Sequence, residues 1–227
     1  MIRIFLILFL SLCSNFAYSS KFVFSLKSSL YSKVLTGVDT DTQTEGEIVS
    51  NSNLNVGFQT EYSMSNSLRF LFDYTSRSVS FDNTDNVING NTDFDTSSMR
   101  FGIKWIAFAR TAFRFLYTIE QDVGFEVVNY KAEIFTENSS YLTLYYDQIV
   151  FLGKSIYSGF RAGIDILGTG VELTERSATR YGAFVTLNTS YGQFETFYEL
   201  KNITKESSTL SYEESDSILH LYYRLTF

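Results

Sequence analysis

Leu219-His220-Leu221-Tyr222-Tyr223-Arg224-Leu225-Thr226-Phe227 ends the sequence, and its reading decides the fold. Counting back from Phe227, every second residue is large and apolar: Leu225, Tyr223, Leu221 and Leu219. Thr226, Arg224, Tyr222 and His220 lie between them. Successive side chains of a strand point to opposite faces, so this stretch offers one face to hydrocarbon and the other to polar groups.

The same alternation recurs through the chain. Phe22 to Leu30 is a first strand. Leu54, Val56, Phe58, Tyr62 and Met64 form the apolar face of a second, and Leu68, Phe70, Phe72 and Tyr74 that of a third. Met99 to Trp105, Phe113 to Ile119, Ser140 to Phe151 and Phe160 to Ile166 follow; Gln148 is a flaw on the apolar face of its strand. Tyr181 to Leu187, Phe194 to Leu200 and the terminal stretch complete a set of ten, or eight if the weaker pair around residues 125–150 is misread. Connections alternate long (34–52, 82–97, 123–138, 168–179, 202–217) and short. Val127-Val128 and Ile134-Phe135 are placed to extend their hairpin beyond a membrane. Gly192-Gln193 fits a two-residue hairpin turn. Absence of Pro and 17% aromatics suit pleated strands. A mean hydropathy of −0.02 is the average of an apolar and a polar face.

At the amino terminus, Met1-Ile2-Arg3 precedes an apolar run from Ile4 to Leu12. That run is shorter than the ~20 residues of a spanning helix. With Ala17-Tyr18-Ser19 behind it, it reads as a signal peptide, 1–19, leaving one domain at 20–227. The bulky Leu12 before Cys13 argues against a lipoprotein. Cleavage removes the only Cys, so no disulfide supports the exported chain. Loss of Arg3 leaves 17 basic residues against 25 acidic, a net charge of −8. A nucleic-acid partner would require a basic surface, so none is expected.

An alternating terminal strand ending on an aromatic residue, a signal peptide and this rhythm of strands and loops resemble bacterial outer-membrane β-barrels as a class. No narrower family motif is present. The resemblance implies an all-β, transmembrane, antiparallel up-and-down barrel, with periplasmic termini and extracellular loops. It makes Leu219, Leu221, Tyr223, Leu225 and Phe227 the signal read by the barrel-insertion machinery. Outer-membrane lipid and lipopolysaccharide are then the surroundings, and a monomer is expected. Trp105, Tyr62 and Tyr191 beside short turns suit an aromatic girdle. In a soluble barrel the apolar faces would point inward and overfill the lumen.

With the apolar faces outward, the lumen collects Lys27, Glu61, Arg69, Asp73, Arg100, Lys104, Arg114, Glu120, Arg161, Asp165, Glu195, Glu199, His220 and Arg224, joined by Asp147 and Arg180. The signs are nearly balanced, which points to a paired filling network, since buried charges need partners. A conducting pore would more naturally carry one sign in excess. Register places Arg100 opposite Glu120 or Asp122, and Glu61 diagonal to Arg69. His220 is the only histidine, and no Ser accompanies it at a short spacing on its face, so a catalytic triad is not indicated. The acidic stretch Asn89 to Asp95 lacks the Glu that closes a Ca²⁺ loop. The expected function is therefore a non-enzymatic surface barrel without cofactor or metal, its loops meeting an extracellular partner. A narrow solute or ion channel and an envelope enzyme are the alternatives.

Overall fold

The computed structural model describes residues 22–39, 45–81, 92–128, 131–170, 175–206 and 210–227; the expected signal peptide lies outside them. Eleven strands follow one another: β1 (Phe22–Asp39), β2 (Glu45–Val49), β3 (Asn53–Ser63), β4 (Leu68–Ser80), β5 (Asp93–Phe108), β6 (Thr111–Val128), β7 (Lys131–Leu152), β8 (Ile156–Gly170), β9 (Glu175–Thr189), β10 (Gly192–Glu206) and β11 (Leu210–Thr226). Each of β3 to β11 pairs antiparallel with its chain neighbour, β3 also pairs with β1, and β11 returns to pair with β1. The chain is a closed ten-stranded β-barrel with one extra short strand. Closure runs from Val23↔Thr226 to Asp39↔Leu210, so the terminal stretch is the closing strand.

The extra strand is not an eleventh stave. One edge of β1 meets β11, while its other edge pairs with β3 up to Tyr31↔Asn53 and with β2 from Val34↔Val49. β2 and β3 thus share one lane, interrupted near Ser50. There the Lys33 amide donates to Ser50 Oγ at 2.7 Å, and the Ser50 amide to the Lys33 carbonyl at 2.8 Å.

Below this break most outward positions are apolar, and Leu26, Leu54, Phe70, Phe101, Phe115, Ile164, Val185 and Leu221 are exposed there. Trp105, Phe113, Tyr146 and Phe160 form a row of rings across β5 to β8, with centroids 5.6, 5.5 and 6.0 Å apart. Gln148, the flaw in the apolar face, accepts from Thr111 at 2.9 Å and Tyr146 at 2.7 Å at the edge of this row. Next to it, β7 shifts register between Ile149 and Phe151, which turns Ile149 toward the inner rings.

Several expected loops are strand instead. Positions 34–39, 45–49, 93–97, 123–128, 131–138, 168–170, 175–179, 202–206 and 210–217 are strand in hairpins that continue past the apolar belt, while 82–91 of the expected loop 82–97 lie outside the described residues. β7 has 22 residues, about twice the ~9–11 that cross a membrane. Residues 125–128 and 131–135 do extend their hairpin, pairing Val127 with Ala132. The reason for the misreading is a switch of face. Above the belt the outward residues become Ser78, Asp95, Gln121, Asn202 and Ser215, while Leu35, Val79, Phe94 and Ile203 are buried. A scan for apolar residues on the outer face finds mostly polar ones there.

Short turns close the other end at residues 64–67, 109–110, 153–155 and 190–191. The last is a correction: Thr189 pairs with Gly192, so Ser190-Tyr191 makes the turn and Gly192 begins β10. Gly192 has φ +147°, a conformation L side chains rarely adopt.

Candidate functional site

The barrel interior is the site, and its side chains form three layers. At the short-turn end, Glu61 meets Arg69 at 3.1 Å and Lys104 at 3.9 Å. Asp147 accepts from Arg114 Nε at 2.6 Å and from Arg161 Nε at 2.7 Å. Glu195 lies 3.0 Å from Arg224 and 3.8 Å from Arg161, whose guanidinium also covers the Phe197 ring at 4.2 Å. This layer holds five cations against three carboxylates.

In the middle layer Asp73 receives Arg100 at 3.0 Å and Lys27 at 3.4 Å, and Lys27 donates to Thr75 at 2.8 Å. Glu199 accepts from Tyr145 at 3.2 Å and lies 3.3 Å from His220 Nε2. His220 is stacked on Phe197, centroids 5.6 Å apart, with the tilted Tyr222 ring at 5.8 Å. Leu71, Leu116 and Tyr145 form a small apolar cluster across the lumen at this level. Two cations face two carboxylates here, with His220 additional.

The outer layer links strands on opposite walls. Glu120 on β6 takes Arg77 of β4 at 3.0 Å, Lys201 of β10 at 3.6 Å and the Tyr141 hydroxyl. Arg180 donates to Asp165 and Tyr141. Asp216 accepts from Tyr31 at 3.0 Å and lies 3.3 Å from Lys201. Above them Lys33, fully buried, lies 2.6 Å from Glu214, 3.0 Å from Asp122 and 3.9 Å from Asp216. The three carboxylates lie within 4.8 Å of one another, close enough to surround a metal ion, but the Lys33 ammonium is already among them. Lys205 pairs with Glu214 and Glu137.

β6 can reach Lys33 because it leaves β5 at Ser97↔Gln121 and then touches β1 and β11. Val123 and Ile134, outward by alternation, are consequently buried with Leu35, Ile48, Val79, Phe81 and Phe94. An apolar cluster thus caps the outer charges.

These outer groups lie beyond the apolar belt. Burial opposes the Lys33 charge, but Asp122, Asp216 and Glu214 outweigh it and raise its pKa well above the usual lysine range. Burial likewise opposes the Glu214 carboxylate, but Lys205, Lys33 and Lys201 pull its pKa down to about 2. Asp122 is pushed up, first by burial and then by Glu120 and Glu214, against the pull of Lys33.

Of the residues named from sequence, Lys27, Glu61, Asp73, Arg114, Glu120, Arg161, Asp165, Glu195, Glu199, His220 and Arg224 are buried in the lumen; Arg69, Arg100 and Lys104 are half-buried there. The expected pairing of Arg100 is corrected. It stands opposite Thr118 on β6 and opposite Asp73 on β4, not Glu120 or Asp122. The two-residue turn at Ala109-Arg110, with a shift between Ile106 and Phe108, draws β6 back by two positions. Arg69 does reach Glu61. Lys33, Arg77, Lys201, Lys205 and Glu214 were missed because they sit among expected loops or off the named faces. Continuing the inward parity of β1, β4, β10 and β11 by a few residues would have found them. Leu219, Leu221, Tyr223, Leu225 and Phe227 form the outer face of β11, where Phe227 and Phe22 exchange backbone hydrogen bonds.

Free space follows the layers. At the short-turn end a vestibule of about 650 Å³ opens between Val23, Glu61, Arg69, Lys104, Gln193 and Arg224. Further in, the spaces beside Asp73 and Lys27 shrink to about 30 and 10 Å³, room for a water or two.

No protein-family model matches the sequence, and no curated protein sequence does. Among solved structures, the translocator domain of the autotransporter NalP from Neisseria meningitidis is 12% identical, covering 88% of this chain and 88% of that one, with a TM-score of 0.43. The Pseudomonas putida toluene transporter TodX is 6% identical over 93% and 91%, TM-score 0.35. Ail, the attachment invasion locus protein of Yersinia pestis, is 10% identical over 89% and 98%, TM-score 0.35. These structures are outer-membrane β-barrels.

Proposed function

We propose that this chain is an integral protein of the bacterial outer membrane, a closed and non-enzymatic barrel that carries tall hairpins on the cell surface for an interaction or adhesion role. Supporting the membrane placement is the ring of exposed Leu, Ile, Val and aromatic side chains around the staves, far larger than the apolar patch a soluble monomer carries. Termini and short turns lie on the periplasmic side in this reading, as in barrels of even strand number. The strand hairpins beyond the belt then lie outside the cell, among lipopolysaccharide. Insertion proceeds through the barrel-insertion machinery reading the Leu219 to Phe227 strand.

The observation that carries the closed reading is the middle layer. Asp73, Arg100, Tyr145, Phe197, Glu199, His220 and Tyr222 border a space of about 30 Å³, too narrow for a hydrated ion to pass. Stacking of His220 on Phe197, with the tilted Tyr222 ring beside it and Glu199 as its carboxylate partner, supports a packing role for the only histidine.

The test is conductance of the refolded mature protein in a planar bilayer, beside Arg100→Ala. Inserted barrels that stay silent in both support the proposal. Stable steps in the wild type that change in Arg100→Ala would make the protein a channel.

A further inference from the structure

Charge is not distributed evenly along the lumen. The middle layer is balanced, and the outer layer has slightly more carboxylates than cations. Among the described residues only the short-turn layer has an excess of positive charge, its five cations exceeding its three carboxylates by two. The excess falls at the vestibule. Asp147 is taken by Arg114 and Arg161, and Glu61 is 3.1 Å from Arg69 but 3.9 Å from Lys104. Arg224 is buried, and its Nε has no hydrogen-bond partner among the described residues. Arg69, Lys104 and Arg224 all line the same space of about 650 Å³.

We propose that this vestibule binds a phosphate-bearing group. Two guanidiniums and an ammonium lining this space, from β4, β5 and β11, supply the planar forks and point charge that phosphate oxygens accept. A phosphate dianion matches the excess of two, and a phosphodiester monoanion compensates half of it while offering two accepting oxygens to a guanidinium fork. The volume is that of a small-molecule site, and the opening at the short-turn rim admits either a free phosphate ester or a lipid headgroup. Gln193 and Tyr157, also on the lining, add neutral hydrogen-bonding groups.

The experiment is equilibrium binding of radiolabelled inorganic phosphate at constant ionic strength to the refolded mature protein. It is run in nanodiscs of phosphatidylcholine and in nanodiscs containing phosphatidylglycerol. Saturable binding is expected in the first. Lys104→Gln is expected to weaken it tenfold or more, Glu61→Gln to tighten it several-fold, and Lys201→Gln in the outer layer to leave it unchanged. A merely structural role for Lys104 and Glu61 would weaken binding in both, which would overturn the proposal. Loss of phosphate binding only in phosphatidylglycerol discs assigns the site to a lipid headgroup; equal binding in both assigns it to a soluble phosphate ester. Each variant is checked for the migration shift of a folded barrel on an unheated gel, and Arg69→Gln, half exposed at the rim, replaces Lys104→Gln if the latter does not fold. No saturable binding in the phosphatidylcholine discs, or unchanged affinity in the Lys104 or Arg69 variant, refutes the site.

Discussion

Replacing Lys33 with Met removes one ammonium from among three carboxylates. Glu214 keeps Lys205, and Asp216 keeps Lys201 and Tyr31, but the ion pair between β1 and β6 through Asp122 is lost. Removing one partner of a buried ion pair costs about 3–5 kcal/mol; the surviving lysines argue for the lower end, about 3 kcal/mol. This cost falls on a local unit, because β6 beyond Gln121 has already left β5 and is held over the outer end by this contact and the apolar cluster. Amide exchange followed by mass spectrometry reads local opening directly. Peptides covering 122–128 and 131–138 should exchange roughly 150-fold faster in Lys33→Met, at 1.36 kcal/mol per factor of ten, while peptides of the belt stay protected. Adding Asp122→Asn removes the stranded charge and should recover a large part of the effect, since contacting residues are not additive. Exchange within threefold of wild type in Lys33→Met would refute the argument that this ammonium fastens the hairpin.

Asp147→Asn leaves Arg114 and Arg161 facing each other without their shared carboxylate, and should lower unfolding stability in urea by about 3–5 kcal/mol; an unchanged midpoint and slope would contradict that. A Cβ at Gly182 would lie 2.0 Å from the Tyr198 carbonyl oxygen, so two backbones must separate. Gly182→Ala should cost about 1–3 kcal/mol, with a lower yield of refolded barrel on unheated gels as the readout. Acid should loosen the outer hairpins in a set order. Glu214 has a lowered folded-state pKa, so its stabilisation is complete above the ordinary 4.5 and is lost as pH falls toward about 2. Asp122, with a raised pKa, takes up its proton earlier and relieves repulsion with Glu120 and Glu214. Exchange at 122–138 should therefore stay slow in mild acid and accelerate only in that lower window, and acceleration already at pH 5–6 would show the signs to be wrong.

The belt was legible because one rule governs it: outward residues alternate with inward ones and are mostly large and apolar, with Thr60, Ser158 and Thr196 as polar exceptions. Lys27, Asp73, Arg114 and Glu199 followed by parity alone. Partners did not follow, because pairing depends on register, and a tight two-residue turn moved Arg100 from Glu120 to Asp73. Nor did the aromatic fill stand out. Tyr145, Phe184 and Tyr222 are bulky residues on polar faces, and alternation says nothing of the room a narrow lumen leaves them.

The outer half was misread for a physical reason that also bears on how the barrel closes. A strand leaving the membrane exchanges lipid for water on its outside, so the apolar residues that can still be buried must move to its inside. Leu35 on β1, Val79 on β4, Phe94 on β5 and Ile203 on β10 make that move, while Thr36, Ser78, Asp95 and Asn202 take the outer face. Alternation persists and only its phase inverts, so a reading anchored to the lipid face records the change as the end of the strand. The inversion places apolar side chains over the outermost ion pairs, and Val123 and Ile134 of the departing β6–β7 hairpin complete the cover. Water that would weaken Lys33–Asp122 and Lys33–Glu214 is thereby excluded from the end where the hairpins meet their surroundings, while the vestibule end stays open and carries the unpaired positive charge. Among the described residues the barrel is capped and slightly acidic at one end, open and basic at the other, and so is polar along its axis. Lys104 at the basic end and Lys33 among the carboxylates of the other can be altered one at a time to probe the two ends separately.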